Sequence, residues 1–238
     1  MKEYKSNCKK IMKTESEILD KLKHKNIVNY YDNLTKEGYK KGINNHIIIE
    51  LCGKENIQDY LNKEKSKINP KIIYTIIKDI CLGLKEIHSK NIIHCDLKPS
   101  NILIGHDYKV KICDFGISSI LEDTKEKIMS EMNGTLAYCA PELINEKKYS
   151  KKVDIWALGC IIYELWKKEP CFKIDSDIKD KINKVEYNKI TDNKELQNLI
   201  NLMLKKDPNE RIDIKQVCKE VKNIISKIKT SDNYKEDY

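Results

Sequence analysis

Apolar residues recur with two different periods along this chain, and the two periods separate predicted helices from predicted strands. Between residues 70 and 88, isoleucine or leucine returns every three or four positions, which predicts one long amphipathic helix. Further helices are predicted at residues 14–23, 152–166, 176–184, 194–205 and 214–228. Strands are predicted at residues 27–31, 46–51, 102–104 and 109–112, with a turn over residues 36–45. This mixture predicts an α+β fold.

Composition narrows the class of protein and its partners. The net charge is +8, but acidic residues are interleaved with the lysines and no compact basic run with aromatic residues occurs, so we expect no nucleic-acid partner. The nine cysteines show no Cys-x-x-Cys spacing, which is typical of free thiols in a reducing compartment and predicts a cytoplasmic location, with the nucleus as the alternative. No run approaches the ~20 apolar residues of a membrane span, so no membrane partner is expected.

The candidate chemistry lies between residues 94 and 101, in the sequence His-Cys-Asp-Leu-Lys-Pro-Ser-Asn. A carboxylate, a lysine and a carboxamide stand here within six residues, as Asp96, Lys98 and Asn101. Thirteen residues after Asn101, a second carboxylate follows an apolar run, in Asp114-Phe115-Gly116. Phosphoryl transfer requires a carboxylate at the acceptor hydroxyl, a cation at the transferred phosphate, and oxygen ligands for Mg²⁺.

These segments resemble the catalytic and metal-binding motifs of eukaryotic-type protein kinases. Three later segments are similar to further motifs of that family, in the same order: residues 134–142 (GTLAYCAPE), 154–159 (DIWALG) and 207–211 (DPNER). The resemblance extends from the first residues to about Ser226. It implies one kinase domain over residues 1–238, with a partial small lobe at 1–52, a mainly helical large lobe at 53–229 and a polar tail at 230–238.

The resemblance also implies a role for each polar residue of the motifs. Asp96 would orient the substrate hydroxyl and accept its proton, and Lys98 would contact the γ-phosphate of ATP. Asn101 and Asp114 would be ligands of Mg²⁺. Lys98 and Thr135 together are typical of serine/threonine kinases, so we expect a protein substrate that is phosphorylated on serine or threonine. His94 and Phe115 are expected to be packing residues.

The remaining nucleotide contacts are expected in the small lobe and at the hinge. Glu50 and Cys52 fall where the hinge backbone would hydrogen-bond adenine. On the predicted first helix, the family pattern selects Glu15 rather than Glu17 as the partner of a strand lysine. Lys2 is the candidate for that lysine, and its rivals are Lys5, Lys9 and Lys10.

Two departures from the family pattern leave alternatives open. None of the eight glycines forms a Gly-x-Gly-x-x-Gly loop, and the two strands that normally carry it are absent, so we expect a sequence truncated at its beginning rather than a minimal small lobe. A pseudokinase or scaffold fragment is the alternative to an active enzyme. A small-molecule phosphotransferase is a third interpretation, disfavoured by the later motifs. The oligomeric state, the substrate and the subfamily stay open.

Arginine usage gives one further expectation. Arg211 is the only arginine among 45 basic residues, and it stands where the family pairs an arginine with the glutamate of Ala-Pro-Glu, here Glu142. Only a guanidinium grips a carboxylate with two parallel hydrogen bonds, so we predict a buried Arg211–Glu142 pair. Cys95 replaces the arginine that usually precedes the catalytic aspartate, so no phosphate-dependent ordering of the activation loop is expected.

Overall fold

The computed structural model describes residues 2–4, 9–37, 43–53, 55–64, 66–120, 136–145 and 148–233. Within these ranges, antiparallel sheets and helices occur together, and this confirms the predicted α+β class. The strands are β1 (Lys2–Tyr4), β2 (Tyr30–Glu37), β3 (Ile43–Ile49), β4 (Glu55–Asn56), β5 (Ile92–Ile93), β6 (Ile102–Ile104), β7 (Val110–Ile112) and β8 (Ser119–Ile120). They form three sheets with the orders β1-β3-β2, β4-β6-β7 and β5-β8.

The helices dominate the second part of the chain. They are α1 (Lys9–Lys21), α2 (Ile57–Lys63), α3 (Pro70–Ser89), α4 (Pro141–Ile144), α5 (Lys152–Lys167), α6 (Ile178–Lys184), α7 (Lys194–Met203) and α8 (Ile214–Asn233). The start of α3 follows from local chemistry, because the Asn69 side chain accepts a hydrogen bond from the Lys71 N–H and Pro70 occupies the first turn.

Helix α5 is the centre of the hydrophobic core. Every residue from Val153 to Trp166 is buried, so this helix is enclosed on all sides, as expected for a helix whose apolar residues run around its whole circumference. Helix α3 packs against α8 and against β7. Helix α3 also contacts β5, so the polar loops between β5 and β7 lie next to these packed helices.

The first part of the chain is attached to the second through residues 26–28. The Val28 N–H donates to the Ile112 carbonyl at 3.0 Å, and the Ile112 N–H donates to the Asn26 carbonyl at 2.9 Å. Gly83 of α3 permits this contact, because a Cβ there would lie 2.7 Å from the Asn26 carbonyl oxygen. The strand predicted at residues 27–31 is confirmed only for its last two residues, because β2 begins at Tyr30 and Ile27 makes only an isolated bridge to Ile112.

The other elements follow the hydrophobic pattern to different degrees. The helix predicted at residues 70–88 and the strand predicted at 102–104 are confirmed. Helix α1 begins at Lys9 rather than at residue 14, and α8 continues through Asn233, beyond the predicted start of the tail. The short elements α2, α4, β5 and β8 were not predicted. Residues 38–42 of the predicted turn and residues 234–238 of the predicted tail lie outside the described ranges.

Candidate active site

The loop between β5 and β6 holds Asp96 with one carboxylate oxygen anchored and the other unengaged. Asp96 Oδ2 accepts hydrogen bonds from Lys98 Nζ at 2.8 Å and from Asn101 Nδ2 at 2.9 Å. Asn101 Nδ2 also donates to the Asp96 carbonyl at 2.8 Å. Within the part of the chain that the structure describes, Asp96 Oδ1 is buried and has no hydrogen-bond partner. The structure therefore brings Asp96, Lys98 and Asn101 together at one carboxylate oxygen and leaves the other oxygen without a partner among the described residues.

A buried carboxylate beneath the loop fixes its backbone. Asp154 of α5 accepts hydrogen bonds from the His94 N–H at 2.9 Å and the Cys95 N–H at 3.0 Å, and its Oδ2 lies 2.8 Å from His88 Nε2. Cys95 has a φ of 67°, a left-handed conformation that is strained for a residue with a side chain. The two N–H bonds to Asp154 hold this strained turn directly before Asp96.

The protonation of Asp154 follows from the same contacts. Burial alone would raise the pKa of this carboxyl group, because desolvation disfavours its charge. The hydrogen bond and charge of His88 and the N–H of His94 outweigh burial and lower the pKa below its ordinary value of 3.8. Sequence reasoning used Asp154 only as part of a motif and missed its partner. The available signal was His88, a polar residue at the end of the long apolar helix.

His94 and Phe115 are packing residues, as predicted, and their rings contact each other. Their ring centroids are 4.9 Å apart, and both residues are fully buried. The Asp96 N–H donates to His94 Nδ1 at 3.3 Å, and His94 Nε2 lies 3.0 Å from the Cys113 carbonyl oxygen. The imidazole thus links the loop that carries Asp96 to the strand end that precedes Asp114.

The two predicted Mg²⁺ ligands lie on segments that are hydrogen-bonded to each other. The Cys113 N–H donates to the Asn101 carbonyl at 3.0 Å, so Asp114 follows directly after a contact with Asn101. Because Asn101 Nδ2 is bonded to Asp96, the amide oxygen is the atom that Asn101 can offer to a cation. One amide and one carboxylate suit Mg²⁺, which usually binds few protein oxygens together with substrate phosphates. Within the described ranges, no group of three or more His, Cys, Asp or Glu residues is arranged so that it could hold a metal ion by itself.

Helix α1 directs one of its two glutamates inward. Glu15 is buried, and its Oε1 accepts a hydrogen bond from the Phe115 N–H at 3.2 Å. Glu17 is exposed, and its Oε1 lies 3.9 Å from Lys13 Nζ on the surface of the same helix. Lys2 pairs with Ile47 in the sheet, but its side chain lies outside the described part of the structure, as does Thr135. The expected Lys2–Glu15 pair and the role of Thr135 therefore stay predictions.

The segment after β3 forms one wall of a cleft of about 480 Å³. The cleft is lined by Ile49, Glu50, Leu51, Cys52, Gly53, Glu55, Asn56, Asp59 and Leu103. Gly53 has a φ of +49°, and a Cβ there would lie 2.3 Å from the Ile104 carbonyl oxygen, so the close approach of this segment to β6 requires glycine. Burial raises the pKa of the Cys52 thiol to about 11, so this side chain stays protonated at neutral pH.

The Glu50 side chain links three segments of the chain. Glu50 Oε1 accepts hydrogen bonds from the Asn29 N–H at 2.7 Å and from Lys111 Nζ of β7, also at 2.7 Å. Burial pushes the pKa of Glu50 upward, but these contacts outweigh it and leave the pKa below its ordinary value. The sequence predicted a role for the Glu50 backbone only. The contact to Lys111 spans distant parts of the chain and has no local sequence signal.

The predicted pair of Arg211 and Glu142 is confirmed. Arg211 Nη1 donates to Glu142 Oε1 at 2.6 Å and Nη2 donates to Glu142 Oε2 at 2.7 Å, with both groups buried. The remaining donors reach the carbonyls of Lys205, Lys152 and Lys206, so all five guanidinium N–H groups are bonded. This fork joins α4, which carries Glu142, to α5 and to the turn before α8.

Among the described residues, no helix combines the length and the apolar character that a membrane crossing requires.

Comparisons with known proteins agree with this geometry. Residues 1–221 match the family model of the protein kinase domain. The probable serine/threonine-protein kinase nek2 of Dictyostelium discoideum is 31% identical over 219 residues, covering 88% of this chain and 51% of that protein. The serine/threonine-protein kinase RUNKEL of Arabidopsis thaliana is 31% identical over 220 residues, covering 90% of this chain and 16% of that protein.

A third relative, the serine/threonine-protein kinase pakG of Dictyostelium discoideum, is 39% identical over 151 residues, covering 63% of this chain and 12% of that protein. The chain thus spans about half, or less, of the length of the curated relatives that it matches. The match to the family model covers nearly the whole chain and includes the Asp96 loop, Asp114 and the Arg211–Glu142 pair. The chain therefore belongs to the eukaryotic-type protein kinase family, and its relatives are of the serine/threonine type.

Proposed function

We propose that this protein is a serine/threonine kinase that transfers the γ-phosphoryl group of ATP to hydroxyl groups of protein substrates. The observation that carries the proposal is that the two oxygens of the Asp96 carboxylate differ in their hydrogen bonds. Oδ2 is held by Lys98 and Asn101, and Oδ1 is buried without a partner among the described residues. A fixed carboxylate with one oxygen that lacks a hydrogen-bond partner is suited to orient a hydroxyl group.

In this proposal, the oxygen of a serine or threonine hydroxyl group bonds to the γ-phosphorus of ATP. Asp96 Oδ1 accepts the proton that this hydroxyl group loses. The bond between the γ-phosphorus and the bridging oxygen breaks, and ADP leaves. Lys98, now bonded to Asp96, lies where its ammonium group could also meet the negative charge of the transferred phosphoryl group. The Asp154 carboxylate keeps the loop backbone in place during the transfer.

We propose ATP and Mg²⁺ as the cofactors and assign Asn101 and Asp114 as the metal ligands. Bound Mg²⁺ would neutralise charge on the phosphates. The oxygen character of both side chains supports this assignment, and so does the hydrogen bond between their segments. The cleft next to Glu50 and Cys52 is the proposed adenine site, with backbone groups as partners. Replacing Asp114 by Ala should abolish Mg²⁺-dependent nucleotide binding, which isothermal titration with Mg-ATP measures.

The proposed organisation keeps one domain, with a small lobe at residues 1–52 and a large lobe at 53–229.

Glu15 and Lys2 are proposed as the ion pair that positions the phosphates. We propose a reducing compartment such as the cytoplasm, because the cysteines of the sequence show no Cys-x-x-Cys spacing.

The experiment that tests the catalytic assignment compares two aspartate variants. Asp96→Asn should lower phosphate transfer to a generic protein substrate by about 100-fold or more, because the proton acceptor is lost. Mg-ATP binding should persist in this variant. Asp107→Asn is the matched control, since Asp107 is an exposed aspartate in the turn between β6 and β7, and it should transfer phosphate like the parent. Unchanged transfer by Asp96→Asn would contradict the assignment.

A further inference from the structure

Two cysteines from different helices face each other on the side of the molecule where α3 packs against α8. Cys81 lies on α3 and Cys218 on α8, and Cys218 Sγ is 3.7 Å from the Cys81 carbonyl oxygen. Both residues line one groove of about 390 Å³. The other residues along this groove are Lys78, Leu82, Val221, Lys222 and Ile225. The groove gives a small molecule a path to the sulfur atom of Cys218, which is partly exposed.

The two thiols differ in exposure and in protonation. Cys81 is buried, with 1% of its surface exposed, whereas Cys218 is partly exposed. A hydrogen bond between the two side chains is the largest influence on both groups: it lowers the pKa of Cys218 and raises that of Cys81 well above its ordinary value. Lys85 also favours the Cys218 thiolate, while burial and Asp213 oppose it. The sulfur atom that a small molecule can reach is therefore also the one whose pKa is lowered, and a lowered pKa favours the reactive thiolate form of a thiol.

We propose that Cys81 and Cys218 form a reversible thiol–disulfide site that is oxidised by hydroperoxides. The Cys218 thiolate attacks one oxygen of hydrogen peroxide, the O–O bond breaks, and Cys218 becomes a sulfenic acid while the released hydroxide takes up a proton to form water. The Cys81 sulfur then attacks the Cys218 sulfur. The S–O bond breaks, the S–S bond forms, and the Cys81 proton leaves with the hydroxyl group as a second water. Two electrons pass from the thiols to the peroxide.

A disulfide here would fasten the last described helix to the core of the fold. The two residues are 137 positions apart in the chain, so the cross-link would close a long loop and restrict the unfolded state. We expect the midpoint of thermal unfolding to rise by about 5 °C or more on oxidation and to return on reduction. The site lies on helices other than those that carry the proposed catalytic residues, so it does not depend on the proposed function.

A second cysteine pair in the same molecule provides a matched control. Cys160 and Cys171 also contact each other through their side chains, and both are buried. Burial is the largest cause that raises the pKa of the Cys160 thiol, and neither residue lines the groove beside Cys218. The Cys160 and Cys171 side chains are close to each other but both are buried away from solvent, so we expect this pair to stay reduced.

The test is treatment of the purified protein with hydrogen peroxide, followed by mapping of disulfide-linked peptides by mass spectrometry without reduction. The expected product is one intramolecular link between the peptides of Cys81 and Cys218, which dithiothreitol removes. A sulfinic acid on Cys218 with Cys81 still alkylatable would overturn the proposal. Preferential linkage of Cys160 to Cys171, or links between separate molecules through Cys218, would also overturn it.

Serine variants distinguish oxidation of the Cys81–Cys218 pair from oxidation elsewhere in the protein. Cys218→Ser should abolish the linked peptide and the rise in the unfolding midpoint, and this partly exposed position tolerates a polar replacement. Cys171→Ser should leave both intact. Cys81→Ser should also abolish the linked peptide. If this variant does not fold, Cys218→Ser alone still tests whether the two cysteines form the disulfide. A peroxide-induced rise in the unfolding midpoint that persists in Cys218→Ser would refute the assignment.

Discussion

Two ion pairs hold distant segments of this protein together, and they are built in opposite ways. Arg211 and Glu142 are withdrawn from water, with 0% and 4% of their side chains exposed. Lys111 and Glu50 retain 25% and 16% exposure. In the first pair, five guanidinium donors are bonded to fixed acceptors. In the second, one ammonium meets one carboxylate oxygen at the edge of the cleft.

The difference shows what each contact requires. A guanidinium fork has a rigid geometry, so it suits a junction between α4 and α5 that keeps one arrangement. An ammonium group on a flexible stem tolerates small shifts of its partner, and that suits the contact between the proposed lobes. In a chain where lysine supplies every other cation, the single arginine lies where geometry is fixed rather than where charge alone is needed.

The largest expected effect is the loss of the buried fork. Arg211→Ala leaves the Glu142 carboxylate buried without a partner, at a cost of about 3–5 kcal/mol in the free energy of unfolding. Against a total stability on the order of 5–15 kcal/mol, this is a large loss. Urea denaturation of the variant and the parent measures it.

Arg211→Lys separates charge from geometry in the same pair. This variant keeps a cation but loses the fork, so its stability should lie between those of Arg211→Ala and the parent. If Arg211→Lys is as stable as the parent, the two parallel hydrogen bonds of the guanidinium group are unimportant for stability. The proposed difference between the Arg211–Glu142 and Lys111–Glu50 pairs would then be wrong.

An intermediate effect is expected for the carboxylate beneath the catalytic loop. Asp154→Asn weakens hydrogen bonds to a charged group, so we expect a loss of about 1.5–3 kcal/mol in unfolding free energy near neutral pH. Because the folded-state pKa of Asp154 is lowered, its stabilisation is present above the ordinary value of 3.8 and is lost as the pH falls through the folded-state value.

The pH dependence is the distinctive part of this prediction. The stability difference between the parent and Asp154→Asn should shrink as the pH falls below about 4, where the unfolded chain gains its proton first. Denaturation curves at several pH values test it. A difference that grows on acidification would show that Asp154 is not stabilised as a carboxylate.

The smallest effect is expected for the cleft-edge pair. Lys111→Met should cost only about 0.2–1 kcal/mol, because a partly exposed pair is screened by water. Lys109→Met, an exposed lysine two positions earlier, is the matched control and should be close to neutral. A loss as large as that of Arg211→Ala would erase the contrast between the two pairs.

The sequence predicted those parts of the fold that depend on local pattern. The period of the isoleucines fixed α3 almost to the residue, and the motif positions identified the Arg211–Glu142 pair. The run Ile27–Val28 was misread because its apolar side chains are buried, but its backbone makes only an isolated bridge to β7 instead of a strand. The contacts of Asp154 with the catalytic loop and of Glu50 with Lys111 were missed because folding alone brings these distant residues together.

Phosphoamino-acid analysis tests the central claim most directly. The purified protein is incubated with radiolabelled ATP, Mg²⁺ and a generic protein substrate, and the labelled product is hydrolysed to single amino acids. With Asp96 as proton acceptor and Lys98 beside it, we predict phosphoserine and phosphothreonine. Predominant phosphotyrosine, or no transfer by folded protein that binds Mg-ATP, would contradict the account.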